Sequence, residues 1–247
     1  MPLIYILPVH NEEAVLGHSV ARLRSTLQRH PQAEVLLVEN GSRDGSAALA
    51  RRLAEEPHAV GMQAFSLPEA GIGYAYDRGL REALSMVGAS ASHWAVLTAA
   101  DLPFDFTDLE QALPHLDDPA GPILIGSKAH PRSVVNVSLQ RALATLAYRR
   151  VRRVLAGMRT GDSQGSVLLR LDVAAKLVDL VVARDFFYST ELIFHAERLH
   201  HPIIELSVVV APESRASTVR PLRHGSAMLV ALARTVLAWG RIGARPR

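Results

Sequence analysis

Four short segments place carboxylates, amide side chains and glycines directly after apolar runs. Pro8-Val9-His10-Asn11-Glu12 follows Leu3–Leu7, and Glu39-Asn40-Gly41-Ser42-Arg43-Asp44 overlaps the end of Val35–Val38. Gly71-Ile72-Gly73 comes after Val60–Phe65, and Ala99-Ala100-Asp101 after Trp94–Leu97. Such a set suits a polar ligand that the main chain approaches closely at its glycines. A dinucleotide site would carry Gly-x-Gly-x-x-Gly straight after its first strand. Here Gly71 and Gly73 come after the third apolar run and position 76 is Tyr, and no Gly-Lys-Ser/Thr phosphate loop occurs. A second set lies further on: Lys128, His130, Arg132 and Arg141, then Arg149, Arg150, Arg152 and Arg153, the turn Gly161-Asp162-Ser163-Gln164-Gly165, and Glu191. His200 and His201 are adjacent, but no metal-ligand spacing joins them to a third residue, so they read as a surface turn. The absence of cysteine excludes thiolate metal sites, iron–sulfur clusters and cysteine nucleophiles.

The charges are divided unevenly. Residues 1–125 hold 8 basic and 16 acidic side chains, whereas residues 126–247 hold 19 and 8. No Asp or Glu occurs between Asp118 and Asp162 or after Glu213. That asymmetry predicts an anionic partner beside the second half. Nucleic acid does not fit, because no recognised module or aromatic interleaving accompanies the arginines.

The elements that must position these residues follow from periodicity. Apolar residues at Val15, Leu16, Val20, Leu23 and Leu27 predict a helix from Glu12 to about Arg29. Further helices are predicted over Asp44–Glu55, with Ser42 or Asp44 as cap, and from about Tyr74 to Val87 after a Gly71–Gly73 turn. The four apolar runs and Ile123–Ile125 read as strands. Past Gly126, Ser127–Asn136 reads as a loop, Ser138–Leu155 as a basic helix, Arg159–Gly165 as a turn and Val167–Leu169 as a strand. A helix from Ser189 or Thr190 to Leu199, a strand over Ile203–Val210 and a helix from Leu222 to about Trp239 complete the chain. Apolar strands alternating with amphipathic helices predict an α/β fold, a mostly parallel central sheet with helices on both faces. Ligands in such sheets bind beyond the carboxyl ends of the strands, so the four segments should share one rim. The chain length suits one domain with an extension. No signal peptide is recognised and no apolar run reaches 18 residues. The expectation is a cytoplasmic protein with peripheral contact at the inner face of the membrane. Ala227–Gly240 reads as a docked core helix, with a membrane anchor as the alternative.

In this order, the four segments resemble the opening of family 2 glycosyltransferases with the GT-A fold. Ile125-Gly126-Ser127-Lys128, Gly161–Gly165, Thr190-Glu191-Leu192 and Ile204–Val208 resemble the polyprenyl-phosphate sugar synthases, the dolichyl-phosphate mannose and glucose synthase branch. The resemblance spans roughly residues 3–235, with a GT-A domain over 1–213 and a basic loop and helix extension of it over 214–247.

The resemblance implies an inverting transfer of a hexose from a nucleotide sugar, GDP-mannose or UDP-glucose, to a polyprenyl phosphate. Donor contacts would come from Pro8, His10, Asn11, Glu12, Glu39, Asn40, Gly71, Gly73, Ala100 and Asp101. Asn11 and Glu12 equally suit helix capping, and Gly71 and Gly73 an ordinary turn. Asp44 reads as a cap. The family's Asp-x-Asp motif, which holds Mg²⁺ or Mn²⁺ on the donor diphosphate, is Ala99-Ala100-Asp101 here. One carboxylate with both phosphates still suffices for a divalent cation, with Asp105 as a substitute or a surface residue. Lys128, Arg132, Arg141 and Arg215 would bind phosphate. Arg149, Arg150, Arg152 and Arg153 form either a solvated face or a contact with anionic lipid head groups. Asp101, Asp162, Gln164, Glu191 and Arg132 are the expected catalytic set. A lipid phosphate is already a nucleophile near neutral pH, whereas a hydroxyl acceptor would need Glu191 or Asp162 as base. The alternatives are a small soluble acceptor, or nucleotide-sugar binding without turnover because of Ala99.

Overall fold

The computed structural model describes residues 2–30, 32–135, 139–210 and 221–243. In chain order its elements are β1 (Leu3–Val9), α1 (Glu13–Leu27), β2 (Glu34–Asn40), α2 (Ser46–Glu55), β3 (Gly61–Leu67), α3 (Ile72–Val87), β4 (Trp94–Leu97) and α4 (Thr107–Ala112). Then come β5 (Ile123–Ser127), α5 (Leu139–Ala156), β6 (Val167–Arg170), α6 (Leu171–Leu177), α7 (Tyr188–Arg198), β7 (Ile203–Ser207) and α8 (Pro221–Gly243).

The strands form one seven-stranded sheet in the order β3-β2-β1-β4-β6-β5-β7. All pairs are parallel except those of β6, which runs antiparallel to β4 and β5. This reversal builds the rim. Six strands end there, while β6 begins there, with Val167 opposite both Leu97 and Ile125. The Gly161–Ser166 segment leading into β6 therefore joins the carboxyl ends of β4 and β5.

Alternation along each strand sorts side chains between two cores. Ile4, Ile6, Leu36, Val38, Ala95, Leu97, Ile123, Ile125, Val167 and Leu169 face the core covered by α3, α6 and α7. Leu3, Tyr5, Leu7, Val35, Leu37, Trp94, Val96, Leu124 and Leu168 face the core covered by α1, α2 and α4. Burial on both faces is why the strands read as unbroken apolar runs. The terminal helix is docked: Leu232 is fully buried, and Met228, Val236 and Trp239 pack on the first core.

Several boundaries differ from expectation. Pro8 lies inside β1 instead of stopping it. The β1–β4 ladder ends at Ile6↔Leu97, so the proline's missing N–H falls beyond the paired part of β4. There is no Gly71–Gly73 turn, because α3 starts at Ile72. Helix α2 starts at Ser46, two residues after Asp44. Thr107 is the first residue of α4, and its hydroxyl donates to the Phe104 carbonyl at 2.7 Å. Helix α6 was not foreseen.

Helix α3 comes very close to the segment before α7. The Gly73 N–H donates to the Arg184 carbonyl at 3.1 Å. A Cβ on Gly73 would lie 2.5 Å from Arg184 C and 2.6 Å from its Cα. Backbone cannot yield as a side-chain tip does. Gly73→Ala is therefore expected to lose about 1–3 kcal/mol, read as a lower urea midpoint with an unchanged slope.

Candidate active site

The ends of β1 and β2 carry two helix N-termini side by side. Each leaves backbone N–H groups without helical partners, and the two helices satisfy one another. Glu12 N donates to Ser46 Oγ (2.8 Å) and Glu13 N to Asp44 Oδ2 (3.3 Å). In return Gly45 N donates to Glu13 Oε2 (2.9 Å), and Ser46 N to Asp44 Oδ1 (3.0 Å). Asn11 has a left-handed φ of 57°, which Asn tolerates better than most residues. Its Oδ1 accepts from Arg43 N at 2.8 Å, and its own N–H donates to Ser42 Oγ at 3.1 Å. The Asn11 amide also faces His10 Nε2 at 3.0 Å, while His10 Nδ1 faces the Asn40 carbonyl at 2.8 Å. Asn11 Nδ2 can only donate, so Nε2 accepts and the proton sits on Nδ1, pointing at Asn40. The Glu39 carboxylate is buried, accepting from Ser42 N (2.6 Å) and Ser66 Oγ (2.8 Å). Of the expected donor residues, Pro8, His10, Asn11, Glu12, Glu39 and Asn40 thus occupy one corner of the rim. Asp44 serves both helices, accepting from Ser46 N of α2 and Glu13 N of α1, while Asn11 reaches across to Arg43 N.

Gly71 and Gly73 are placed differently. The space their Cβ atoms would take is filled by Arg184 backbone, so their lack of a side chain serves packing between α3 and the 181–184 segment. Glu191 holds that segment from behind. Its Oε2 accepts from Val182 N (2.9 Å) and Ala183 N (2.7 Å), its Oε1 accepts from Thr235 Oγ1 of α8 (3.0 Å), and His195 Nε2 lies 3.9 Å away. The residue is 5% exposed. Burial pushes its carboxyl up, but the nearby His195 and hydrogen bonds from the Ala183 N–H, Thr235 and the Val182 N–H outweigh this and hold its pKa below the usual value.

Beyond β4, Ala99-Ala100-Asp101 form a turn closed by Leu102 N donating to the Ala99 carbonyl at 3.0 Å. Leu102, Asp105 and Phe106 all have positive φ (49°, 47° and 65°), a costly arrangement for bulky residues. Buried Leu102 and Phe104 hold it in place. Asp101 is exposed on the rim while Ala100 is buried. Beneath lies Tyr76, whose phenol is pushed up by burial and by the nearby Asp101 charge. Asp105 pairs with Arg22 of α1 and is committed there. Ala99 and Ala100 offer no side-chain oxygen, and no group of three or more His, Asp or Glu that could hold a metal occurs among the described residues. Asp101 alone fits a cation held chiefly by phosphate oxygens.

The strongest construction is the turn before β6. Arg159 N (2.8 Å) and Thr160 N (2.9 Å) donate to the Glu197 carboxylate. Gly161 N (2.9 Å) and Asp162 N (3.0 Å) donate to that of Glu205. Arg152 donates to the Thr160 and Gly161 carbonyls at 3.3 and 2.9 Å, and Ser163 Oγ pairs with Thr190 Oγ1 at 2.9 Å. Asp162 then ties this turn to the cationic one: Lys128 N donates to its Oδ2 (3.0 Å) and Gln164 N to its Oδ1 (2.9 Å). Gln164 is exposed and donates to the Phe186 carbonyl at 3.1 Å. Lys128 and Arg132 are exposed on the adjoining turn, with Lys128 Nζ 5.7 Å from the Phe104 ring centroid. Asp101, Asp162, Gln164, Lys128 and Arg132 therefore share the rim, whereas Glu191 lies buried beneath it.

One expectation fails on burial. Arg152 is 2% exposed, so it belongs neither to a solvated face nor to a lipid contact. Gly71 and Gly73 face protein backbone. Arg215 lies outside the described residues, as does the side chain of Arg141. The sequence reading missed Glu197 and Glu205 as supports. The one available signal was Glu205, an acid inside the apolar run Ile203–Leu206.

A family model described as Glycosyl transferase family 2 matches residues 5–177. No curated protein matches the chain in sequence. Among solved structures, glucosyl-3-phosphoglycerate synthase from Mycobacterium tuberculosis is similar in fold. Its complex with Mn²⁺, UDP and phosphoglyceric acid superposes with a TM-score of 0.66 at 20% identity, covering 96% of this chain and 78% of that one. Its complex with Mn²⁺, UDP-glucose and phosphoglyceric acid gives 0.65 at 20% identity, covering 96% and 79%. The UDP complex gives 0.63 at 20% identity, with 96% and 79% covered.

The depressed Glu191 pKa makes a signed prediction. A carboxylate whose folded pKa lies below its unfolded value of about 4.3 adds stability above that value and loses it as pH falls through the folded pKa. Wild type should exceed Glu191→Gln by about 1–3 kcal/mol near neutral pH. The gap should close in the acid limb of a stability–pH curve measured by urea unfolding.

Proposed function

The chain belongs to glycosyl transferase family 2, and on that premise we propose that it transfers a hexose from a uridine diphosphate sugar to a small, water-soluble, anionic acceptor. The observation that carries this reading is the hydrogen bond from Lys128 N to Asp162 Oδ2. It sets the exposed cations Lys128 and Arg132 against the turn bearing Asp162 and Gln164, on the rim that also carries Asp101. An acceptor with a phosphate or carboxylate would be held at one end by the cations and present its hydroxyl to the Asp162 side. The complexes of the Mycobacterium tuberculosis synthase with UDP-glucose and phosphoglyceric acid support the same classes of donor and acceptor.

The geometry supports the following division of labour. His10, Asn40 and the paired starts of α1 and α2 fix the corner that receives the nucleoside. Asp101 would face the donor diphosphate and help hold a divalent cation there, which would neutralise charge on the leaving diphosphate. Asp162, at the attacking side, accepts the hydrogen bond of the acceptor hydroxyl and takes its proton as the oxygen displaces the nucleotide from the opposite face of the sugar. Glu191 supports the 181–184 segment, because it is buried beneath the rim, out of reach of an acceptor, with its oxygens turned onto that segment and α8.

A polyprenyl phosphate acceptor is the second reading. It is favoured by the exposed Leu143, Leu146, Val154 and Leu155 of α5, flanked by exposed Arg150 and Arg153. No helix among the described residues is long and apolar enough to cross a membrane.

The test incubates the purified protein with radiolabelled UDP-glucose, Mn²⁺, and either phosphoglyceric acid or polyprenyl phosphate. Water-soluble glycoside is the expected product. Label extracted into organic solvent would favour the second reading, and donor binding without product would reduce the protein to a binder. Asp101→Asn should lower kcat/KM by about 100-fold, with the folded state unchanged by circular dichroism.

A further inference from the structure

We propose that Glu205, at the centre of β7, is the positioning residue that sets the separation between the Asp162 turn and the cationic Lys128–Arg132 turn. The inference rests on the acceptor assignment above and adds to it the group that holds the two halves of that site in register. Three donors from two separate segments converge on this carboxylate. Oε1 accepts from Ser127 Oγ at 2.6 Å and from Asp162 N at 3.0 Å, and Oε2 accepts from Gly161 N at 2.9 Å. Ser127 is the last residue of β5 and begins the cationic turn. Its Oγ also accepts from Ala129 N (3.1 Å), and its carbonyl accepts from Ser133 Oγ (2.6 Å). A second contact closes the ring from the other side, Lys128 N to Asp162 Oδ2 at 3.0 Å. The two turns are therefore joined twice, once through Asp162 and once through Glu205.

The chemistry requires a carboxylate. All three groups facing Glu205 donate, and two of them are backbone N–H groups that cannot reverse. A carboxamide of the same shape has one acceptor oxygen and one NH₂. In either orientation it sets an N–H against a backbone N–H. If the NH₂ faces Gly161 that amide loses its partner, and if it faces Asp162 the residue at the attacking side is pushed away. Gly161 is closely surrounded: a Cβ there would lie 3.0 Å from Glu205 Oε1, 3.0 Å from Arg149 Nη2 and 3.1 Å from Ala129 Cβ. Glu197 holds the earlier amides of the same turn, Arg159 and Thr160, so the turn should survive the loss of Glu205 while its distance to the cations does not.

The experiment is a kinetic comparison of wild type with Glu205→Gln, Glu205→Asp, Ser127→Ala and the Glu205→Gln/Ser127→Ala pair, with UDP-glucose and phosphoglyceric acid. Glu205→Gln is expected to raise the acceptor KM about tenfold or more while the donor KM stays within about twofold. Glu205→Asp, which keeps the charge, should recover part of that loss. The double variant should cost less than the two singles combined, because they remove a shared interaction. An unchanged acceptor KM in Glu205→Gln, or an equal rise in both KM values, overturns the inference. If wild type transfers no sugar, the acceptor assignment fails instead, and amide exchange decides the positioning role. Glu205→Gln must speed exchange in both peptides 126–134 and 158–166; acceleration in only one, or in neither, overturns it.

Discussion

Four consecutive backbone amides, Arg159 to Asp162, donate to two carboxylates brought from different elements, Glu197 of α7 and Glu205 of β7. A turn this close to a packed core cannot leave such groups unpaired, since a buried N–H without a partner costs roughly what a lost hydrogen bond does. Arg152 completes the arrangement by taking two of the turn's carbonyls. Inside the protein this guanidinium is costly, and burial lowers its pKa. Its charge lies in the field of Asp162 and of Glu197, the latter one of the carboxylates the turn needs for its amides, which offsets part of that cost. The antiparallel β6 strand makes all of this necessary. It brings a chain entering the sheet, not leaving it, to the rim, and that chain must reverse direction among the ends of six parallel neighbours.

The opposite corner solves the same problem with different residues. Helices α1 and α2 begin side by side, and Asp44, Ser46 and Glu13 exchange hydrogen bonds between them. Residues that would face a ligand are thereby held by the groups that start the helices. Structural duty and ligand contact are compatible here because backbone amides consume one lone pair of an oxygen that has two.

What could be read in the sequence was whatever depends on near neighbours. Alternation placed Ile4, Ile6, Leu36 and Val38 against Leu3, Tyr5, Val35 and Leu37, and the two cores divide them in that way. The helical stripe of α1 was legible for the same reason. Features set by distant partners were not. Gly73 meets Arg184 across more than a hundred residues. Arg152 carries the same charge as Arg150 and Arg153 and differs from them only in what the fold lays over it. Helix α6 has seven residues, too few for a periodic signal. The direction of β6 could not be inferred from an apolar run that reads alike in either sense. The candidate site was legible as a set of rim segments. Which side chains support it and which face outward depended on tertiary pairing.

The uneven charge takes its meaning from this difference. In the first half, Glu13, Glu39 and Asp44 are turned onto backbone N–H groups, and Glu39 is buried, so part of its negative charge is taken up by amides while Asp101 is exposed on the rim. In the second half Glu191, Glu197 and Glu205 are likewise committed to amides, and Asp172 and Asp179 pair with arginines, while Lys128 and Arg132 stay exposed. The acid-free stretch from Pro119 to Gly161 thus leaves the cationic turn facing solvent, with its carboxylate neighbours Asp162 and Glu205 each held by two amides. An anion arriving there meets a positive field whose competing charges have been turned inward. The fold therefore needs its carboxylates as amide acceptors before the site can use its cations.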